Sequence, residues 1–355
     1  MSITTKPFGT APDGRAVTMY TLTNAGGSSI SVIDYGAILT SICVPDRNGD
    51  LADVALGFDS MAKYGAGHGS MGDTVGRYGN RIGKGRFTLD GVTYQLALND
   101  HGKNHLHGGE KGFAWRMWTA TPIEGERRDS VAFHYLSPDG EENYPGNLDV
   151  TVTYTWDEDD NLIIRYEATT DKATLCNLTN HTYFNLAGHN HGTIRDHEIT
   201  IDADVITKVD SGLIPTGDYM PVVGTPLDLR DGLLIDEGLQ VMDSCPQMIP
   251  AGGYDHNWCL VRSGDGLESA CTVYDPSSGR QVEVLTDQPG LQFYSGNFFD
   301  GTVSDRHGRP MAFRGSLALE AQKYPDSPNH DGFTDIILRP GETYSQKTVY
   351  RFSVR

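Results

Sequence analysis

The sequence predicts an all-β protein, a large sandwich of antiparallel sheets with very little helix, and three observations carry that expectation. Short runs rich in Val, Ile, Thr and aromatic residues recur along the chain, each closed by Gly, Asn or Asp, which is the pattern of strands joined by turns. The 42 Gly and 17 Pro are spread as punctuation rather than gathered into a linker. Only residues 60–64 and 233–239 could make short helices, and neither sustains an apolar stripe with a period near 3.6.

Taken in order, residues 17–22, 29–33 and 37–44 read as extended runs divided by Asn24-Ala25-Gly26-Gly27 and Tyr35-Gly36. Phe87-Thr88-Leu89 and Val92-Thr93-Tyr94 flank Asp90-Gly91, whose residue types suit the positive φ angles of a type I′ turn, so this is the clearest hairpin. Further strands are expected at 130–136, 148–156, 162–169, 269–274, 281–286, 291–294, 317–322 and 343–354. No fixed-period repeat suggests a propeller and no shift in composition marks a linker, so one domain over residues 1–355 is expected. The turn-rich segments 65–84, 99–113, 188–195, 296–315 and 323–332 are long for mere connections, and function is expected there.

The bulk properties exclude several classes of partner. A net charge of −19 disfavours nucleic acid and anionic membranes and suits a neutral small ligand, although a solvated acidic surface accounts for the charge as well. Five widely spaced cysteines without a Cys-x-x-Cys pair suggest neither a disulfide framework nor a zinc ribbon, and are expected to be reduced and buried. The first residues lack the apolar segment of a signal peptide, and no apolar stretch is long enough to span a bilayer, so a cytoplasmic protein is expected.

The chemistry centres on Asn180-His181-Thr182-Tyr183-Phe184-Asn185-Leu186. If this run is extended, His181, Tyr183 and Asn185 share one face, and Thr182, Phe184 and Leu186 the other. One face would then be functional and the other packed; a hydrogen-bonded core histidine in an ordinary strand is the competing account. Glu320 is its sharpest partner. In Leu317-Ala318-Leu319-Glu320-Ala321-Gln322, the residues Leu317, Leu319 and Ala321 make an inward row, leaving Glu320 among small neighbours, where a cleft or a solvated strand face are both open.

Four other stretches carry polar side chains in suitable settings. Asn80-Arg81, in the Gly-rich Gly76-Arg77-Tyr78-Gly79-Asn80-Arg81, could hydrogen-bond ligand hydroxyls, or could be a surface arginine beside a turn. His107, followed by Gly108-Gly109, could be approached closely by a ligand; alternatively His105 and His107 would share a strand face and hold a metal as in cupin-like proteins, although no third ligand is evident nearby. Asp255 opens an apolar run and could accept from two vicinal hydroxyls or cap a turn, and Gln292 and Tyr294 alternate onto one strand face.

As an ordered set these runs resemble the galactose mutarotase, or aldose 1-epimerase, family. The matching signatures are Gly76-Arg77 with Asn80-Arg81, Leu106-His107-Gly108-Gly109, the run from Asn180 to Leu186, Tyr254-Asp255-His256-Asn257, Gln292-Phe293-Tyr294 with Gly296-Asn297, and Leu319-Glu320 with Gln322 and Pro325-Asp326. Phe8-Gly9 near the start and Leu338-Arg339-Pro340-Gly341-Glu342 near the end extend the likeness over nearly the whole chain. The resemblance implies a β-supersandwich with an open sugar cleft and no metal or organic cofactor. It implies Glu320 as general base, His181 as general acid and His107 assisting at the sugar ring, with Asn80, Arg81, Tyr183, Asp255 and Gln292 positioning hydroxyls. Departures are small: Gly79 stands where the family often has Ala, and Ala321 where Thr is common.

Those residue types suit the interconversion of α and β anomers of a free aldose such as galactose or glucose. One base must take the C1 hydroxyl proton while one acid protonates the ring oxygen, so the ring opens and recloses on the other face, and a carboxylate with an imidazolium supply both. His181 must then be protonated near neutrality, so a neighbouring carboxylate or hydrogen bond is expected, with the imidazole and the Glu320 carboxylate on opposite sides of one pyranose. Rival readings are a non-catalytic sugar-binding protein, a hexose 6-phosphate epimerase, which would want more basic groups than Arg81, and a cupin-like metalloenzyme. A monomer or a homodimer is equally compatible with the sequence.

Overall fold

Alternation along strands sorts this chain into two faces, and the computed structural model, which describes residues 1–67 and 69–355, shows what each face meets. Three antiparallel sheets dominate. The largest has nine strands in the spatial order Thr119–Ile123, Arg128–Ser137, Leu148–Asp157, Asn161–Thr170, Tyr344–Val354, Arg280–Thr286, Glu268–Tyr274, Glu198–Ile201 and Leu233–Leu234. The second has six: Tyr183–Phe184, Leu317–Gln322, Gly290–Tyr294, Asp255–Cys259, Val205–Val209 and Pro215–Pro221. A five-stranded sheet of the first 53 residues adds a third layer.

One core joins all three. Ile30, Val32 and Ile42 of the N-terminal sheet, Val150, Val152, Tyr154 and Phe352 of the nine-stranded sheet, and Leu291, Phe293, Leu317 and Leu319 of the six-stranded sheet belong to one buried cluster. The inward row Leu317, Leu319 and Ala321 is confirmed there, and the Tyr350 hydroxyl donates to the Leu319 carbonyl at 2.8 Å, tying the two large sheets together behind Glu320. The opposite face of the same strand is also buried, so Glu320 is not on a solvated strand face.

Asp90 and Gly91 take φ angles of 49° and 78°, and Leu89 lies opposite Val92, the predicted hairpin. The two short helices are Met61–Tyr64 and Ile235–Gln240. Ser2–Thr10 is a strand that the sequence hides: it is an edge strand with almost every side chain exposed, so no core face imprints an apolar alternation. The cysteines are free; four are buried and Cys43 is half-buried rather than buried. Among the described residues no helix is long and apolar enough to cross a membrane.

Leu319 is fully buried directly behind the cleft floor. Leu319→Ala is expected to lower unfolding stability by about 2–5 kcal/mol in urea titrations, the range for a leucine truncated in a packed core.

Candidate active site

The six-stranded sheet turns its polar face into a cleft of about 330 Å³, and seven of the eight expected site residues line it: Asn80, Arg81, His107, His181, Tyr183, Asp255 and Glu320. Gln292 does not reach the cleft. Opposite Asn257 on one side and Glu320 on the other, it lies behind Asp255 and donates from Nε2 to that carboxylate at 2.7 Å.

His181 arrives by a change of partner rather than along one continuous strand. Thr179–His181 pairs with Asp73–Val75, whereas Tyr183–Phe184 pairs with Leu317–Gln322. The switch falls at Thr182, whose backbone N–H and hydroxyl both donate to the Asn180 side-chain oxygen, at 3.1 and 2.5 Å. His181 and Tyr183 still meet in the cleft, with ring centroids 4.7 Å apart. Asn185 is the correction to the expected shared face. Its amide donates to the Gly315 and His191 carbonyls and anchors a turn outside the cleft.

At the centre, His181 Nε2 lies 3.4 Å from Glu320 Oε1, both groups buried. The carboxylate expected beside the imidazole is therefore present, but the two touch instead of facing each other across a ring-sized gap. Burial pushes the Glu320 carboxyl up from 4.5 to about 7; the Asp255 charge adds to the rise, while His181 and Arg81 oppose it.

His107 enters where two glycine loops close on each other. Gly108 has a φ of 81°, and a Cβ there would lie 1.8 Å from the Gly76 carbonyl oxygen, so the glycine serves contact between backbones rather than access for a ligand. The loop so fixed lets the Asn80 backbone N–H donate to His107 Nδ1 at 3.2 Å. That bond places the ring proton on Nε2, and burial together with the positive neighbours His181 and Arg81 holds His107 well below the ordinary histidine range. His107 is thus a neutral hydrogen-bond donor, set edge to face with His181 at 5.2 Å.

The same proton bears on the metal alternative. His107, His181 and Glu320 bring ligand atoms within 4.8 Å of one another. Ligation through His107 Nε2 would move its proton to Nδ1, against the Asn80 N–H, so the donor set does not fit a divalent ion. The expected pairing of His105 with His107 fails on backbone grounds. His107 has a φ of 49°, which ends the strand, and His105 is buried elsewhere between the Ala97 carbonyl and the Tyr144 hydroxyl, at 2.9 and 2.7 Å.

Arg81 is held by Asp100, which accepts from Nε at 3.1 Å, while Nη1 lies 3.9 Å from Asp255 Oδ2. Asp100 was not singled out by the sequence, since one aspartate in a turn-rich segment has no distinguishing spacing. Also unforeseen is an apolar roof of Phe298, Phe299 and Val303 over the cleft, from segment 296–315. Segments 65–84 and 99–113 also supply lining residues, although residue 68 lies outside the described residues. Segments 188–195 and 323–332 brace instead: Asn190 donates to Asp305, and the Asp326 N–H donates to the Arg81 carbonyl.

The chain and its fold match a known family. The sequence profile described as Aldose 1-epimerase matches residues 18–351. The chain is 42% identical to a galactose mutarotase of Sus scrofa over all of this chain and 99% of that one, and 40% identical to an aldose 1-epimerase of Escherichia coli K12 over 96% and 97%. A galactose 1-epimerase structure from Lactobacillus acidophilus superposes with a TM-score of 0.86 at 27% identity, covering 100% of this chain and 99% of that one. The chain therefore belongs to the aldose 1-epimerase family. Its activity is that of an isomerase that interconverts the anomers of free aldoses.

A buried carboxyl raised from 4.5 to about 7 binds its proton more tightly folded than unfolded, so its stability contribution is full below pH 4.5 and is lost as pH climbs to about 7. At about 1.4 kcal/mol per unit the loss approaches roughly 3 kcal/mol. Glu320→Gln is therefore expected to be more stable than the parent at pH 8, with the advantage gone by pH 4.5, in urea melts at both pH values.

Proposed function

We propose that Glu320 takes the proton of the C1 hydroxyl while His181 delivers one to the ring oxygen, opening the sugar to its C1 aldehyde, which rotates and recloses on the other face. The observation that carries this reading is the 3.4 Å contact of His181 Nε2 with Glu320 Oε1 at the cleft floor. The C1 hydroxyl oxygen and the ring oxygen are both bonded to C1, so a base and an acid side by side suit them better than groups on opposite faces of the ring. One proton leaves the sugar for Glu320 and one enters from His181, so the pair ends with the proton transferred and reclosure returns it. His107, neutral and donating from Nε2, supports the oxygen that gains charge.

Asn80, Arg81 and Asp255 grip hydroxyls away from C1, which both anomers share, and Gln292 holds the Asp255 carboxylate in place. The Tyr183 ring and the Phe299 side chain supply an apolar surface for the C–H face of the pyranose. Among the described lining residues Arg81 is the one Lys or Arg, which favours a free aldohexose over a hexose phosphate. The names of the relatives point to galactose, with glucose as the natural comparison.

Polarimetry of freshly dissolved α-D-galactose and α-D-glucose tests the roles. Glu320→Gln and His181→Asn are each expected to lower kcat by about 10² to 10⁴ while sugar binding persists; near-parental turnover in either removes that residue from its role. The parent rate should fall below about pH 7 as Glu320 takes up a proton. Arg81→Met is expected to raise KM by about tenfold or more, the worth of a charge-assisted hydrogen bond, with a smaller effect on kcat.

A further inference from the structure

Beside the cleft, on the same face of the six-stranded sheet, lies a polar patch whose Asn257 and Gln322 side chains the reaction above does not use. Register places Asn257 opposite Gln292 and Gln292 opposite Glu320, while Gln322, two residues beyond Glu320 on the same strand, shares its face. All four are at least 97% buried. Among the described residues, Asn257 Oδ1, Gln292 Oε1, Glu320 Oε2 and both polar atoms of the Gln322 amide have no hydrogen-bond partner. Unpartnered polar atoms are rare in interiors, and here several gather on one patch of one sheet face.

Two glycines bring backbone close to the patch. Gly290 stands opposite Gln322, and a Cβ there would come within 2.5 Å of Asn257 Oδ1. Gly79, on the loop that leads to Asn80, lies over the Gln322 amide, and its Cβ would sit 3.3 Å from Oε1. Two positions without side chains thus flank the amides. The inventory is complementary too: one amide NH₂ donor, from Gln322, stands against several acceptor oxygens, and water, with two donors and two acceptors, is the small molecule that reconciles them.

We propose that Gln322, Asn257 and Gln292 form an internal water site beside the catalytic carboxyl, in which bound water accepts from Gln322 Nε2 and donates to Glu320 Oε2. Gln322 is then a positioning residue that acts on Glu320 through water. A hydrogen bond given to Oε2 favours the ionised carboxylate and offsets part of the desolvation that burial imposes on it. The other groups that set this carboxyl are His181 from the neighbouring strand, Asp255 and Arg81 across the cleft, and the Tyr183 and Tyr350 hydroxyls on either side of the sheet. None of these changes when Gln322 is replaced.

This inference rests on the reading of Glu320 as the base, and the test separates the two. Gln322→Met keeps the volume and removes the donor. The acid limb of its kcat/KM profile for galactose is expected to move up by about one pH unit, a tenfold loss of rate below the limb, with KM on the plateau changed less than about twofold. A limb that stays in place overturns the inference, and if Glu320→Gln is inactive in the same assay the base assignment survives that failure. A crystal structure of the unsubstituted protein at atomic resolution gives a readout independent of folding of the variant. Density for water within hydrogen-bond distance of both Glu320 Oε2 and Gln322 Nε2 supports the site, and a dry gap overturns it.

Discussion

A carboxylic acid buried beside an imidazole on the floor of a β-sheet cleft is the constraint around which this structure is arranged. Burial alone would drive Glu320 to its neutral form, in which it could not serve as the base proposed above. His181 at 3.4 Å and Arg81 across the cleft pull the other way, and the balance leaves the carboxyl near neutrality, where proton transfer in both directions is easiest. A reversible reaction between two anomers of similar energy needs that symmetry.

Holding such a pair in place demands rigid supports, and they come from the two faces of one sheet. Leu317, Leu319 and Ala321 are locked into the common core, which fixes where the alternate residues of the same strand must point. His181 enters from a different strand pair, redirected at Thr182 by the Asn180 side chain. His107 enters from a loop whose position is set by backbone against backbone at Gly76 and Gly108. Three separate parts of the chain thus meet at one carboxyl, each held by a local device that tolerates little variation.

The polar groups around the centre divide between those that hold and those that respond. Asp100 and Gln292 clamp Arg81 and Asp255, so two of the groups proposed to bind hydroxyls are already fixed by the protein. Burial holds His107 well below the ordinary histidine range, so it adds no positive charge beside His181. Phe298, Phe299 and Val303 add an apolar side to this otherwise polar cleft.

The sequence by itself determined the β class, the Asp90-Gly91 hairpin, the two-faced strand around Glu320 and, through an ordered set of motifs, seven of the residues that line the cleft. These are legible because period-two alternation, turn chemistry and short motifs are properties of adjacent residues. Contacts between distant parts of the chain are not written that way. Tertiary structure alone decided that Asn185 anchors a turn, that Gln292 stands behind Asp255, and that His105 and His107 point apart because His107 takes a positive φ. It also decided the spacing of His181 and Glu320, residues 139 positions apart in sequence, since the strand of His181 pairs with Asp73–Val75 and the next one, Tyr183–Phe184, pairs with the strand of Glu320.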